Sequence, residues 1–306
     1  MSTRTHAAVR GAGDATRQSL GAMPGGDRVR GAGFRLLVLA AALLGVAGLL
    51  ALIAQAAVEG APRLDTGLFT NQPSSLAETG GYQSAIFGTL LLMAGVVVTV
   101  VPLGLGAAVY LEEFANNERW YNRFIELNIQ NLAAVPSIVF GILGLGFIVR
   151  GPLDLGTVAY AGSLTLSLLV LPTVILAGRE ALRAVPSSIR EGALALGATR
   201  WQTVRRQVLP ASIPGMVTGV ILALSRAIGE TAPLLLIGAT VFVTYNPDGP
   251  FQGNYTALPV LIFNYVGRPQ EEFRILAAAG ILVMLAVLLL MNSFAIWLRN
   301  RYSQRW

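Results

Sequence analysis

Six long runs of hydrophobic residues, separated by polar segments, dominate the sequence. They are Leu36–Val58, Ser84–Tyr110, Leu132–Val149, Thr157–Gly178, Pro214–Val241 and Ile275–Leu298. A helix rises about 1.5 Å per residue, so about 20 apolar residues cross the hydrocarbon core of a bilayer. The pattern therefore predicts an all-α membrane protein with six transmembrane helices.

The segments at the two ends of the chain are polar. We expect residues 1–35, rich in glycine, alanine and arginine, to form a disordered cytoplasmic tail, because such a composition cannot build a core. Residues 36–298 then form the transmembrane domain, and residues 299–306 a cytoplasmic C-terminal tail. Ala54-Gln55-Ala56 resembles a signal-peptide cleavage site. The apolar run and the tail before it are too long for a typical signal, which favours a retained first helix.

The basic residues are distributed unevenly between the two sides of the predicted membrane. If the N-terminus is cytoplasmic, the outer loops hold only Arg63, Arg150, Arg268 and Arg274, and Arg226 lies inside the fifth helix. Cytoplasmic segments then hold the other arginines: Arg4, Arg10, Arg17, Arg28, Arg30, Arg35, Arg119, Arg123, Arg179, Arg183, Arg190, Arg200, Arg205, Arg206, Arg299, Arg301 and Arg305. This bias follows the positive-inside rule and predicts that both termini face the cytoplasm.

Composition excludes several function classes. Charged residues make up only 12% of the chain, and the positive-inside bias accounts for its net charge of +6 without a nucleic-acid partner. There is no cysteine and a single histidine, His6, so we expect no disulfide, metal site or cofactor. Lysine is absent, so the chain lacks the phosphate-binding loop of an ATPase. We therefore expect no enzyme activity, and any energy from ATP must come through another subunit.

The longest outer segment covers residues 243–272. Within it, Ala257–Val266 is apolar but too short to span a bilayer, so we expect it to lie along the outer interface or to re-enter the membrane partway. Its neighbourhood is rich in aromatic residues, which suit anchoring at headgroup level or docking of an outside partner. These residues are Tyr245, Phe251, Tyr255, Phe263 and Tyr265.

Two opposite charges interrupt the fifth hydrophobic run. Arg226 and Glu230 are four residues apart and therefore share one helix face. Counted from Pro214, Arg226 lies about 18 Å into a core of about 30 Å. A lone charge at that depth is costly, so the two side chains either neutralise each other as a structural pair or lie on the path of an anion. In the second case Arg226 attracts the anion and Glu230 keeps it from binding too tightly, with Thr231 beside them.

Small residues and a proline surround this pair. Gly215, Gly219, Ala223 and Ala227 predict a ridge for close helix contact, as do Gly141, Gly144 and Gly146 in the third run. Pro233 removes a backbone hydrogen bond and crowds the carbonyl of Gly229, which predicts a bend beside the pair.

A basic, polar stretch over residues 179–213 connects the fourth and fifth runs on the cytoplasmic side. Ser187 and Ser188 are candidate N-caps, with Glu191 as the capping-box partner of Ser188. Gly197 allows a second helix to approach closely or the chain to turn away. We expect Pro210 and Pro214 to restart the chain into the membrane.

This stretch resembles a loop of the permease subunits of ATP-binding-cassette importers. The matching residues are Glu191, Gly192, Ala193, Gly197, Leu209 and Pro210, with Gly192 in place of the family's alanine and Gln207 at a position that is usually apolar. The resemblance implies a short coupling helix, made by these residues, that is seated in a groove of an ATPase subunit.

Other motifs resemble the phosphate-specific, PstA-type branch of this family over about residues 84–298. They are Val135–Gly141, Leu171-Pro172-Thr173, Ala198–Trp201 and Arg226–Pro233. The resemblance implies the type I importer (MetI-like) architecture in a bacterial inner membrane and import of inorganic phosphate by alternating access. It also implies three kinds of partner: a second, PstC-like permease as heterodimer, two PstB-like ATP-binding subunits, and an external PstS-like phosphate-binding protein.

Three alternatives remain open from the residues themselves. The cargo could be another oxyanion, such as sulfate or molybdate. An ion-coupled secondary transporter could use Arg226 and Glu230 as a relay, although no internal repeat is visible and the cytoplasmic stretch is then unexplained. A membrane scaffold that signals phosphate status is the third.

Overall fold

The computed structural model of the protein describes residues 25–116, 118–239 and 242–302. Its α-helices in chain order are α1 (Gly25–Gly60), α2 (Thr66–Thr70), α3 (Gln83–Val109), α4 (Trp120–Ala133), α5 (Ser137–Leu143), α6 (Ala159–Arg183), α7 (Ser187–Ala195), α8 (Arg200–Thr203), α9 (Leu209–Gly229), α10 (Ala232–Leu236), α11 (Leu258–Val266) and α12 (Glu271–Tyr302). Helices α3, α5 and α8 continue into the π-helical turns Tyr110–Phe114, Gly144–Val149 and Val204–Val208. Short 3₁₀ turns cover Ala61–Arg63 and Ala77–Thr79.

The chain divides into two units after Gln55. In the first unit the described residues belong to α1, whose apolar side chains, such as Leu36 and Leu44, are exposed. Helix α1 begins at Gly25, so residues 25–35 are helical and not part of a disordered tail. The rest of that expected tail, residues 1–24, lies outside the described residues. At the other end, α12 extends to Tyr302, past the expected boundary at residue 298.

Membrane-spanning helices are present in the expected number only if one of them is bent. Within the described residues, five helices are long and apolar enough to span: 31–63, 83–114, 159–183, 200–229 and 271–301. A sixth span exists if Trp120–Ala133 and Ser137–Val149, bent by 109°, are counted together. The third span is therefore not the single helix Leu132–Val149 that the hydrophobic run predicted. The first arm ends at Ala133, and Pro136 directly precedes the second. A proline lacks the backbone N–H of a helical hydrogen bond and disfavours the helical conformation of the residue before it, which favours a bend here.

The fifth span also differs from its predicted bounds. The helix is continuous from Arg200, so Pro210 and Pro214 lie inside it and do not restart the chain. The Oγ1 of Thr218 donates to the carbonyl of Pro214 at 2.8 Å and so bonds a helix carbonyl within this stretch. At the outer end the helix stops at Gly229, and Glu230 is extended. A bend was predicted beside the pair from Pro233. The structure instead breaks the helix there, and Pro233 lies in the first turn of the following helix, α10.

The main core lies between α3, α6 and α9. Val96, Val170 and Ala223 are fully buried there.

The predicted small-residue ridge of α9 is confirmed, because a side chain at Gly219 would collide with Ala177 of α6. In the third span Gly141 packs against Pro233 and Gly144 against Thr165. At Gly146, by contrast, no atom of the described residues lies within 4 Å of an added Cβ, so this glycine does not serve close helix packing.

The outer segment folds inward and packs against α3. Gly88 lies against the carbonyl of Thr256, and the backbone N–H of Leu258 donates to Oγ1 of Thr89 at 2.9 Å.

Tyr255 and Tyr265 are fully buried, so the prediction that they anchor at the headgroups is wrong. Tyr245, Phe251 and Phe263 are exposed, which keeps the anchoring prediction open for them. The apolar composition of this segment did not reveal that α11 packs against α3 and α12.

Candidate functional site

Arg226 and Glu230 form an ion pair at the end of α9. The Nε of Arg226 lies 3.2 Å from Oε1 of Glu230, so the spacing of four residues brings the two charges together as expected. The Arg226 side chain is 47% exposed and that of Glu230 is 17% exposed. Among the described residues, no acceptor engages the two Nη atoms of Arg226. The flat end of the guanidinium is therefore free for a bidentate partner.

The packing register gives the level of this pair within the helix bundle. Helix α9 runs alongside α6, with Gly215 against Ala181 and Gly219 against Ala177. Two helical turns beyond the second contact, Arg226 is level with about Val170, near the middle of α6. The depth of Arg226 predicted from the sequence was counted from Pro214, which is not where the helix begins. The register against α6, itself a candidate span, also puts Arg226 near the middle of the membrane.

The chain is irregular where the pair ends. Glu230 has an extended backbone, with φ −77° and ψ 118°, and its N–H donates to the carbonyl of Ala227 at 3.3 Å. Thr231 precedes α10, makes no side-chain capping bond and is partly exposed. Non-helical backbone at membrane depth is stable only where protein or water surrounds it. The three predicted residues Arg226, Glu230 and Thr231 thus stand together at a break in a membrane helix.

The predicted coupling segment is an exposed helix, α7, followed by a tight turn. None of the residues of α7 is buried, and Glu191 and Gly192 are exposed. The turn is made by Gly197 with φ +85°, a conformation that favours glycine. No atom lies within 4 Å of a side chain built there, so Gly197 serves the turn and not a close approach inside this chain. The turn presents Leu196, which is 91% exposed, at the tip of the segment.

The caps of this segment differ from the prediction. Pro186 precedes α7, and neither Ser187 nor Ser188 caps it through a side chain, because both already lie in the first helical turn. The capping box belongs to α8: Oγ1 of Thr199 accepts from the N–H of Gln202, and the Gln202 side chain accepts from the N–H of Thr199 at 2.9 Å. The serine pair after a proline was a misleading signal.

The remaining predicted coupling residues lie in the membrane helix that begins at Arg200. Leu209 is partly buried among Leu182, Val208 and Met216, where it helps to pack α9 on α6. Gln207 is exposed, so a polar residue fits that position. The exposed surface available to a partner is therefore formed by Glu191, Gly192 and the neighbouring residues of α7, with Ala193 partly exposed.

A charged cluster beside α7 escaped the sequence reasoning. Arg179, only 3% exposed, pairs with Glu112 at 3.1 Å and with Glu126 at 2.9 Å. Arg190 pairs with Glu113 at 2.7 Å. The adjacent acids Glu112 and Glu113 at the end of a hydrophobic run were the available signal, since consecutive carboxylates there need partners.

Comparisons with known proteins identify the family. Residues 100–304 match the family described as binding-protein-dependent transport system inner membrane component. The chain belongs to this family. The permease is 36% identical over 227 residues to phosphate transport system permease protein PstA 1 of Mycobacterium tuberculosis, an alignment that covers 74% of this chain and 73% of the relative. It is 33% identical over 262 residues to the PstA protein of Yersinia pestis, covering 85% and 86% of the two chains.

Solved structures show the same fold at lower identity. A chain of a bacterial alginate ABC transporter, in complex with its periplasmic protein, aligns with a TM-score of 0.63 at 15% identity and covers 89% of the permease and 95% of that chain. A chain of the MetNI methionine ABC transporter aligns with a TM-score of 0.56 at 16% identity, covering 72% and 94%. The all-α, type I importer architecture expected from the sequence is confirmed.

Family membership fixes the coarse role of the chain. The permease is a multi-pass inner-membrane component of an ABC importer, and such importers work with ATP-binding and substrate-binding proteins. Within the described residues, no three His, Cys, Asp or Glu side chains are grouped so that they could hold a metal ion.

Proposed function

We propose that the permease imports inorganic phosphate by alternating access, as one half of a heterodimeric pair of permease subunits. Its partners are a second, PstC-like permease, two PstB-like ATP-binding subunits and an external PstS-like phosphate-binding protein. The proposal is supported by the names of relatives that cover most of the chain at more than 30% identity. It also draws on the free guanidinium of Arg226, which is the observation that carries it.

Arg226 provides the chemistry that a passing phosphate needs. A guanidinium offers two parallel N–H donors that match two phosphate oxygens, and its terminal nitrogens are unoccupied. Glu230 holds the Nε side at 3.2 Å and so orients the fork. Its negative charge also weakens retention of an anion, which a conduit requires in order to release its cargo. Thr231, at the break, adds a hydroxyl next to the pair.

The exposure of the pair indicates where the pathway lies. Helix α9 turns its small residues toward α6, where Ala223 and Ala227 are buried, while Arg226 remains 47% exposed. A charge level with the middle of a span must not face lipid. In the heterodimer this face of α9 therefore meets the second permease, and phosphate passes between the two subunits.

The cytoplasmic surface of α7 is the site of the ATP-binding subunit in this proposal. Glu191, Gly192 and Ala193 form its exposed contact, and the turn at Gly197 presents the apolar side chain of Leu196. Leu209 and Pro210 support it from the first turn of α9. The arginine bias predicts that α7 and both termini face the cytoplasm.

The experiment is phosphate uptake by the assembled importer in proteoliposomes, with ATP inside and the binding protein outside. Arg226→Gln is expected to abolish uptake, because the charge is lost while the volume changes little. Arg226→Lys is expected to restore it only in part, since an ammonium lacks the bidentate fork. The matched control is Arg123→Gln, which removes an exposed arginine elsewhere in the chain. Wild-type uptake by Arg226→Gln would refute the assignment.

A further inference from the structure

Helix α7 is attached to the end of α3 by one side chain. The Nη2 of Arg190 lies 2.7 Å from Oε1 of Glu113, and Nε lies 3.3 Å from the same oxygen and 3.5 Å from the other. Glu113 belongs to the π-helical turn that ends α3, and its side chain is only 7% exposed. Charge-assisted bonds of this length in a partly dry site are among the strongest polar contacts in proteins.

The same guanidinium also holds the end of α6. Arg190 donates through Nη1 to the carbonyl of Val185 at 2.7 Å and through Nη2 to the carbonyl of Leu182 at 2.8 Å. These carbonyls lie just where α6 ends, and helix-terminal carbonyls have no partner of their own in the helix. Arg190 thus joins α7 simultaneously to α3 and to α6.

The π-helical turn of α3 makes a second set of attachments. Glu112, next to Glu113, pairs with Arg179 at 3.1 Å and with Arg183 at 2.9 Å, both on α6. Phe114 directly follows Glu113, and the centroid of its ring lies 6.1 Å from that of Trp201, at the start of the fifth span. Three successive side chains of one turn therefore reach α6, α7 and α8.

Apart from Arg190, helix α7 contacts the π-helical turn Val204–Val208 and α8. None of its residues is buried, and its main apolar support is the partly buried side chain of Ile189. Arg190 is the charged contact through which a movement of α7 imposed from outside reaches the end of α3. π-Helical turns are frequent at functional sites. Such a turn ends α3, and another lies in the membrane helix that begins at Arg200. Both helices lie next to α7.

We infer that Arg190 and Glu113 are positioning residues that transmit movement of the coupling helix to α3 and α6. The inference rests on the proposed function, because it assigns a route for force from the ATP-binding subunit. Without the pair, the ATPase cycle proceeds but is transmitted poorly to the membrane helices. The sign of this defect is a fall in phosphate transported per ATP hydrolysed, and not a fall in ATP hydrolysis.

The test compares neutral variants in the assembled importer. Arg190→Gln leaves Glu113 buried without its partner, so this variant alone confuses a loss of stability with a loss of transmission. The double variant Arg190→Gln/Glu113→Gln removes both charges at nearly constant volume and relieves the buried charge. We expect it to assemble, to hydrolyse ATP and to transport about tenfold less phosphate per ATP, within the usual range for coupling between two sites. Arg123→Gln is the matched control, since it removes an exposed arginine of α4 that makes none of these contacts.

A second readout measures the attachment directly. The chain has no cysteine, so spin labels can be placed on exposed Ser188 of α7 and exposed Glu118 beyond α3. The distance distribution between them is expected to broaden in the double variant and to stay narrow in Arg123→Gln. A wild-type ratio of phosphate to ATP with an unchanged distance distribution in the double variant would overturn the inference. Failure of the wild-type importer to carry phosphate would instead refute the proposed function, so the two failures are distinguishable.

Discussion

The strongest prediction concerns the double variant Arg226→Gln/Glu230→Gln. If the pair is only structural, Arg226→Gln leaves Glu230, which is 17% exposed, without its partner. In a dry site that removal costs about 3–5 kcal/mol. Such a cost would lower the equilibrium constant for assembly at least about a hundredfold, since every 1.4 kcal/mol is a factor of about ten. The neutral double variant would then regain both assembly and transport.

A pathway role predicts a different outcome. If water reaches the pair, as the 47% exposure of Arg226 indicates, the ion pair contributes only about 0.2–1 kcal/mol to stability. Each single variant should then assemble nearly normally. The double variant should assemble as well and still be inactive, because the guanidinium that receives the anion is gone. The assay is copurification of the importer subunits together with phosphate uptake in proteoliposomes. Recovery of uptake in the double variant would refute the reasoning.

Three further predictions follow from packing, partner contact and topology. Gly219→Leu should lower the stability of the folded chain by about 1–3 kcal/mol, because the larger side chain collides with Ala177. The loss of folded protein on heating in detergent measures this effect. Gly192→Ala should leave the stability unchanged, because no atom of the described residues lies within 4 Å of the added Cβ. Glu191→Lys should prevent copurification of the ATP-binding subunits while the chain stays in the membrane; normal copurification would contradict the assigned contact. A cysteine at exposed Gln252 should label only from outside the cell; labelling only from the cytoplasm would reverse the topology.

Much of the fold was predictable because the bilayer imposes a simple length rule. The first, second, fourth and last spans follow directly from apolar runs. The third and fifth spans were misjudged at their ends, since hydropathy does not show where a helix breaks or extends into polar sequence. Pro136 bends the third span, while Pro214 leaves the fifth span continuous, so a proline alone does not decide the outcome.

The candidate site was partly predictable for a related reason. Arg226 and Glu230 are neighbours along one helix, so their spacing alone brings them together. Arg190 and Glu113 are far apart in sequence and belong to different helices, so no local pattern connects them. The burial of Tyr255 likewise depends on how the outer segment folds between helices, which aromatic composition does not reveal.

The most direct test of the proposed role is ATP-driven uptake of labelled anions by the purified importer that contains this permease. The account predicts that phosphate accumulates only with ATP and the binding protein present, that sulfate and molybdate do not, and that a complex without this chain is inactive. Uptake of sulfate or molybdate in place of phosphate, or phosphate uptake that does not require ATP, would contradict it.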